Sequence, residues 1–456
     1  TTNISNIVQT KDGYIWLSGV EGTYRFNGYE FEEVGQEIGL PKMQSMYYDS
    51  TKNILYFASP KKFIVFDGKE FKSYSANEGY RINGLLGQVI SFIDKDSKGR
   101  IWVGSITPYV DKKFNGGLTQ FNENKFTVFD STSYPLDNST GFIETPYGDL
   151  IFASGGRNTQ TLEGSYIALF KNGVFKKIDE SAGITLQNTF LFPKNLSSPI
   201  DKEGNTWLAF AGIITISSIN KKSAGVLMYD GSKFYQYSDF VSELGKDNIP
   251  VQVYYSKIMD KIYLGTSTVT SSKNELLSAQ NKSIFEFENG KWKPSSIFST
   301  IKSLTDLKSG KVITDFSYGN TLFIKKNKLF PELLVFQTIQ VAQSSKYSDQ
   351  IFAFNNGSWE KFDAFTAFPI RESSDGFIVG TSKGFGMYLP NYSKMLTAKD
   401  GLLQPLGGIP VFYCDRNGIV WISYSYSALP AYAQTFNTGI NIWDGKKLRG
   451  YTEKDG

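Results

Sequence analysis

Ten side chains in four polar stretches carry the groups with which this chain could grip a ligand. They are Tyr109, Asp111 and Lys112 in SITPYVDKKFNGG (Ser105 to Gly117), Arg157 and Glu163 in GGRNTQTLEGSY (Gly155 to Tyr166), Lys221 and Lys222 in FAGIITISSINKKSAG (Phe210 to Gly225), and Tyr424, Tyr426 and Tyr432 in SYSYSALPAYAQTFNTG (Ser423 to Gly439). A fifth stretch, STVTSSKNELLSAQNKS (Ser267 to Ser283), has the same character. Phenol rings offer stacking planes, and the charged groups offer hydrogen bonds. The mixture suits a sugar or a protein surface. Taken singly, each residue is also an ordinary solvated loop side chain, so the set says more than any member.

Catalytic chemistry finds much less support. The chain has no histidine, which removes the usual general base, the usual activator of a nucleophile and the commonest metal ligand together. Ser-His-Asp and Cys-His mechanisms are therefore excluded within it. A sialidase-like site would need an arginine cluster around a carboxylate. Seven arginines are present, Arg25, Arg81, Arg100, Arg157, Arg371, Arg416 and Arg449, and the first, third and sixth sit in hairpins of a repeat. The sequence singles out no carboxylate pair for glycoside hydrolysis. We expect a non-catalytic chain, not an enzyme, with no cofactor and no metal.

The elements that must position these loops are legible as a repeat. GYIW at Gly13 to Trp16 returns as GRIW (Gly99 to Trp102), GNTW (Gly204 to Trp207) and GIVW (Gly418 to Trp421). Weaker copies, among them NILY, GDLI, KIYLGT, GKVI and GFIVGT, fill the gaps, so the marker recurs about every 40 to 58 residues. A second marker follows each: YRFNGYEF from Tyr24, IVFDGKEF from Ile64, LFKNGVF from Leu169, LMYDGSKF from Leu227, FEFENGKW from Phe285, FAFNNGSW from Phe352 and NIWDGKKL from Asn441. Asn-Gly or Asp-Gly between alternating apolar runs predicts a hairpin in which both central residues take positive φ.

The first copy predicts four strands: Ile4 to Gln9, Tyr14 to Ser18, Thr23 to Phe26 and Glu30 to Val34. Four antiparallel strands make one blade, apolar on both faces, and a ring of blades buries both. The fold expected is an all-β β-propeller. Trp16, Trp102, Trp207 and Trp421 then fill the space between blades, and the hairpin Asp and Asn residues are turn formers. Second markers, counted with looser versions near 124, 327 and 391, give about ten units. Only thirty residues separate Asn327 from Gly357, too few for a blade. We expect a first propeller of about seven blades over 1–334 and further blades of a second, incomplete one over 335–456. The alternative is one ring of about ten.

Composition agrees with a repeat array. Aromatics at 15% suit pleated strands, and 456 residues suffice for a continuous core. A net charge of +4, mostly lysines in turns, marks no nucleic-acid groove. No apolar run approaches the roughly 18 residues that cross a bilayer, so the chain is expected to be soluble, with membrane attachment only through segments outside it. The single cysteine, Cys414, is expected to be a small buried hydrophobe. A start at Thr1 without Met, and an end just after a completed hairpin, suggest a mature or excised portion of something longer.

The two markers, DGYIWLSGVEGTYRFNGYEF and later DRNGIVW with GINIWDGKKL, together with Gly-Leu pairs such as KDGLL (Lys399 to Leu403), resemble the two-component regulator propeller repeat. The resemblance spans nearly the whole chain and is faint only between Gly310 and Ser358. It implies paired propellers in the periplasmic sensor region of hybrid histidine kinases, especially in Bacteroidetes, where many respond to glycans. Related propellers occur in cell-surface secretion machinery. The repeat specifies fold well and ligand poorly. The implied role is ligand binding in signal transduction at a periplasmic or cell-surface location. Oligosaccharide or protein would be the partner on the face that bears the insertions, and a homodimer is compatible with it. The alternative is a protein-interaction scaffold.

Overall fold

The computed structural model describes residues 4–19, 22–35, 45–81, 89–106, 118–129, 139, 141–153, 167–179, 189–190, 200–212, 225–237, 248–257, 259–268, 284–295, 304–305, 312–313, 316–324, 334–341, 350–355, 358–362, 368–373, 376–381, 384–389, 392–403, 409–425 and 439–452. Among these, the regular structure is strand apart from two 3-10 turns, Ala76–Glu78 and Ala398–Asp400. The strands form nine four-stranded antiparallel sheets and one two-stranded ladder, Leu304–Thr305 with Val312–Ile313. Each four-stranded sheet runs up and down in chain order, as a propeller blade does.

Blade 1 comprises Ile4–Gln9, Ile15–Gly19, Thr23–Phe26 and Phe31–Glu33. Blade 2 runs from the strand Ser45–Asp49 to Phe71–Tyr74, blade 3 from Val89–Lys95 to Lys125–Phe129, and blade 4 from Gly141–Glu144 to Val174–Ile178. Blade 5 runs from Thr189–Phe190 to Phe234–Tyr237, and blade 6 from Asn248–Ser256 to Lys291–Pro294. Blade 7 runs from Phe316–Ile324 to Ser358–Phe362, blade 8 from Phe368–Ser373 to Tyr392–Thr397, and blade 9 from Ile409–Cys414 to Leu448–Tyr451.

Burial explains why the second strands read as nearly continuous apolar runs. Ile15–Gly19 is buried at every position, whereas the outer strand Phe31–Glu33 is half-buried and then exposed. A strand covered on both faces has no polar face to alternate with.

The hairpins between third and fourth strands come in two kinds. At Asn172-Gly173 and Asn289-Gly290 both residues have positive φ and close two-residue loops, as predicted. At Asn27-Gly28, Asp67-Gly68, Asp230-Gly231 and Asp444-Gly445 only the glycine is positive. There the Asn or Asp side chain instead accepts from the backbone two and three residues on, as Asn27 Oδ1 does from Tyr29 N (2.8 Å) and Glu30 N (3.0 Å).

The chain divides into two compact units, residues 1–130 with 367–456 and residues 131–366. The first holds blades 8, 9, 1, 2 and 3 in that packing order. Apolar layers join each pair: Leu396 and Leu402 with Val420 and Ile422; Trp421 and Ile442 with Ile7 and Leu17; Trp16 with Leu55 and Phe57; Tyr56 and Phe63 with Ile93 and Phe121. In the second unit, Ile151 and Leu169 of blade 4 meet Leu208 and Tyr229 of blade 5, and Trp207 of blade 5 meets Leu264 and Trp292 of blade 6. The four repeat tryptophans are at most 2% exposed, and Trp16, Trp207 and Trp421 fill these layers, as expected. Trp421 of blade 9, for instance, meets Phe26 of blade 1 edge-on at 5.1 Å.

Three expectations need correction. The boundary at 334 falls inside blade 7, whose second strand is Leu334–Val341. Blades 1 and 9 share a layer, so the chain's two ends belong to one compact unit. The unit read near Asn327 is not a separate blade, because residue 327 lies in the span between the first and second strands of blade 7, and the hairpin near Gly357 joins its third and fourth. Finally, Cys414 is exposed. The strand alternates there, Tyr413 facing an apolar layer and Asp415 buried, which turns Cys414 outward.

Candidate ligand-binding face

In blades 3, 5 and 9 the second strand is fixed by an aspartate six residues before its tryptophan. In DSKGRIW, Asp96 Oδ2 accepts from Trp102 Nε1 (2.8 Å) and Arg100 Nε (2.6 Å), while Oδ1 accepts from Arg100 N (3.0 Å). In DKEGNTW, Asp201 Oδ2 accepts from Trp207 Nε1 (2.8 Å) and Asn205 Nδ2 (2.9 Å). In DRNGIVW, Asp415 Oδ2 takes Trp421 Nε1 at 3.1 Å, and Oδ1 takes Asn417 N and Ile419 N at 2.9 Å each. The glycine between, Gly99, Gly204 or Gly418, has φ between 77° and 86° and closes the turn back onto the aspartate carbonyl. One carboxylate thus orders the turn and satisfies a buried indole.

Blades 1 and 2 depart from this frame. Thr10 replaces the aspartate in TKDGYIW and donates to Asp12 Oδ1 at 2.5 Å, which leaves the buried Trp16 Nε1 without a partner. Asp49 keeps the aspartate, but Leu55 stands at the tryptophan position, and Asp49 Oδ2 has no partner.

At this same end the turns of neighbouring blades are tied together. Lys11 N of blade 1 donates to Tyr48 Oη of blade 2 (2.8 Å), and Lys95 of blade 3 pairs with the buried Asp49 (2.7 Å). Arg416 of blade 9 donates to Gln9 Oε1 from N (2.9 Å) and Nε (3.1 Å), and from Nη2 to the carbonyls of Thr10 and Lys11. In the second unit, Lys171 of blade 4 donates to Gly231 O of blade 5 (2.6 Å) and to Asp149 Oδ2 (2.9 Å), which also accepts from Tyr229 Oη (2.7 Å). Burial first, then the bond to Asp149, pushes the Tyr229 phenol up to about 12. Lys202 of blade 5 pairs with Asp260 of blade 6, which holds the ammonium above its ordinary value and the carboxyl below.

In an up-and-down sheet the second-to-third connection leaves from the end opposite these turns. The five long connections do so, joining Ile101–Ile106 to Leu118–Asn122, Leu150–Ala153 to Ile167–Lys171, Thr206–Gly212 to Gly225–Tyr229, Lys261–Thr268 to Ile284–Glu288, and Val420–Ser425 to Ile440–Trp443. Three of them belong to the consecutive blades 4, 5 and 6, and two to blades 3 and 9 of the other unit. Tyr424 lies in the strand Val420–Ser425, opposite Pro410. Tyr109, Asp111, Lys112, Arg157, Glu163, Lys221, Lys222, Tyr426 and Tyr432 lie outside the described residues.

Three arginines are committed to the scaffold. Arg25 pairs with Glu32 (2.6 Å) and stacks 4.5 Å from the Tyr14 centroid, Arg100 serves Asp96, and Arg416 serves the seam between blades 1 and 9. The inter-blade ties of Asp149, Lys171 and Tyr229 had no sequence signal. The aspartate clamp had one, its constant spacing of six from tryptophan. Among the described residues, no group of three acidic or cysteine side chains could hold a metal ion, and no helix is long and apolar enough to cross a membrane.

No protein-family model matches this sequence, and no curated protein sequence matches it. Solved structures do. The chain is similar to the extracellular domain of BT4673 from B. thetaiotaomicron, at 12% identity and a TM-score of 0.33 over 100% of this chain and 66% of that one. It is similar to the β-propeller domain of the Trilobed protease from Pyrococcus furiosus, at 12% identity and 0.38 over 81% and 97%. A third is PorZ, a surface component of the type-IX secretion system of Porphyromonas gingivalis, at 10% identity and 0.26 over 100% and 69%. The chain spans just under two thirds of the BT4673 chain's length.

Proposed function

We propose that this chain is a non-catalytic ligand-binding β-propeller, the extracytoplasmic sensor region of a two-component-type signalling protein, with oligosaccharides as the ligand class. The observation that carries the reading is the asymmetry of the blades. Within each unit the turn ends are tied to one another by buried or charge-assisted hydrogen bonds, while the long second-to-third connections of blades 3, 4, 5, 6 and 9 leave from the other end. A rigid scaffold with long loops on one side is the usual way to present a binding surface. The repeat resemblance supports a sensing role, and Tyr109, Asp111, Lys112, Arg157, Glu163, Lys221, Lys222, Tyr426 and Tyr432 of the long connections, with Tyr424 at the end of the strand Val420–Ser425, would supply stacking and hydrogen bonds.

The test is a thermal-shift screen of the chain against oligosaccharides. A ligand at a hundred times its dissociation constant stabilises the fold by about 2.7 kcal/mol. A hit that weakens in the Tyr109→Ala, Tyr426→Ala double variant supports a small-molecule site on the loop face. Flat curves across a broad panel would overturn the glycan reading and favour a protein-interaction scaffold at the cell surface.

A further inference from the structure

Among the described residues the outer strand of each four-stranded blade pairs along one edge only. Most of these edges carry lysine, such as Lys72 in blade 2, Lys125 in blade 3 and Lys176 in blade 4. Cations on an open edge are the ordinary guard against edge-to-edge pairing. Blade 1 reverses the sign. Its outer strand reads FEE, Glu30 precedes it, all three glutamates are exposed, and Tyr29 at the hairpin tip is 93% exposed.

The neighbouring edge is the opposite extreme. Blade 9 presents Lys446, Lys447 and Arg449, all exposed. The two edges adjoin within one compact unit, with the Tyr451 ring 5.5 Å from Phe31 and 6.3 Å from Phe26. Glu32 is engaged by Arg25, and Arg449 by Asp444 (3.1 Å). The charged ends of Glu30, Glu33, Lys446 and Lys447 make no ion pair among the described residues.

An acidic edge beside a basic edge is self-complementary under a two-fold rotation, because the rotated copy sets its basic edge against the acidic one and the reverse. Such a contact satisfies both edges and closes at two copies. We infer that the adjoining outer edges of blades 1 and 9 form a homodimer surface, in which Glu30 and Glu33 of one copy face Lys446 and Lys447 of the other and Tyr29 anchors the contact. The surface lies apart from the long-connection end and is independent of what binds there.

Sedimentation velocity on the chain tests this. A dimer is expected at low salt, weakening about tenfold by about 0.5 M sodium chloride as the charges are screened. Glu30→Lys with Glu33→Lys makes both edges basic, and Lys446→Glu with Lys447→Glu makes both acidic. Each variant alone is expected to be monomeric, and an equimolar mixture to dimerise, which loss of folding could not produce. Tyr29→Ala is expected to weaken association about tenfold with melting unchanged, as for an exposed anchor. A parent chain monomeric at low salt at its highest soluble concentration would overturn the inference. So would folded charge variants that dimerise like the parent, or that stay monomeric when mixed.

Discussion

Thr10→Asp with Asp12→Asn should stabilise this protein, although it places a carboxylate at a buried position. The change turns TKDG into DKNG, the frame of Asp415-Arg416-Asn417-Gly418. Its carboxylate would reach the Trp16 indole N–H, which is buried and without a partner, and the Tyr14 backbone N–H, as Asp96 reaches Trp102 at 2.8 Å and Arg100 N at 3.0 Å. Two charge-assisted hydrogen bonds contribute about 1.5 to 3 kcal/mol each, and a buried donor left unsatisfied costs about 1 to 3 kcal/mol. Against this stands the desolvation of a carboxylate at a site where Thr10 is 5% exposed. That desolvation is of order several kcal/mol for an ion without compensation, and here the same backbone turn compensates it. The Asp12→Asn change is needed because Asp12 Oδ1, 2.5 Å from Thr10 Oγ1, would otherwise repel the new carboxylate. The expected net gain is about 1 kcal/mol. Urea unfolding followed by tryptophan fluorescence measures it, and a slowed exchange of the Trp16 indole proton in NMR identifies the bond. Asp201→Ala is the converse and should cost about 2 to 4 kcal/mol, since it orphans the Trp207 indole and uncaps Asn205. A folded double variant less stable than the parent, or an Asp201→Ala protein as stable as the parent, would refute the clamp.

Two further outcomes follow from the same contacts. Arg416→Ala should destabilise by about 1 to 3 kcal/mol, because Gln9 Oε1 loses its charged donor at the seam between blades 9 and 1; protection from amide exchange in Ile4–Gln9 should fall first. Stability should also be lost between pH 10 and 12. Tyr47, Tyr56 and Tyr229 each titrate at about 12 in the fold, chiefly because burial disfavours the phenolate, against 10.0 when exposed. A group raised on folding stabilises fully below its unfolded value and loses that contribution as pH climbs toward the folded one. Melting that is flat from pH 9 to 12 would contradict this.

Fold type was legible because the repeat writes its turn chemistry and its inter-blade tryptophans at fixed spacing. Trp16, Trp102, Trp207 and Trp421 lie where the spacing puts them. The count failed where apolar and polar residues mimic the marker: LFIKKNKLF has a hairpin's composition but begins in the first strand of blade 7 and ends before its second. The boundary failed for a different reason. Which blade meets which across more than four hundred residues is decided by layers such as Ile7 with Trp421, and no local pattern encodes that. Cys414 sits in an apolar-looking run, but the alternation that Asp415, the clamp residue, imposes turns it outward. Of the candidate ligand residues only Tyr424 falls in described structure; composition marks a loop as polar and long but does not fix where its side chains point.

The layer between blades 9 and 1 also sets a timetable. Each of these blades is built wholly from its own end of the chain, with no strand exchanged between them. On a ribosome adding about 5 to 20 residues per second, the face of blade 1 that will receive Trp421 and Ile442 waits roughly 20 to 80 seconds for its partner to emerge. Through that interval Ile7, Leu17 and Phe26 present bare apolar surface. Blade 1 is therefore made well before the partner that covers it, and its nascent form is a natural client for a holding chaperone.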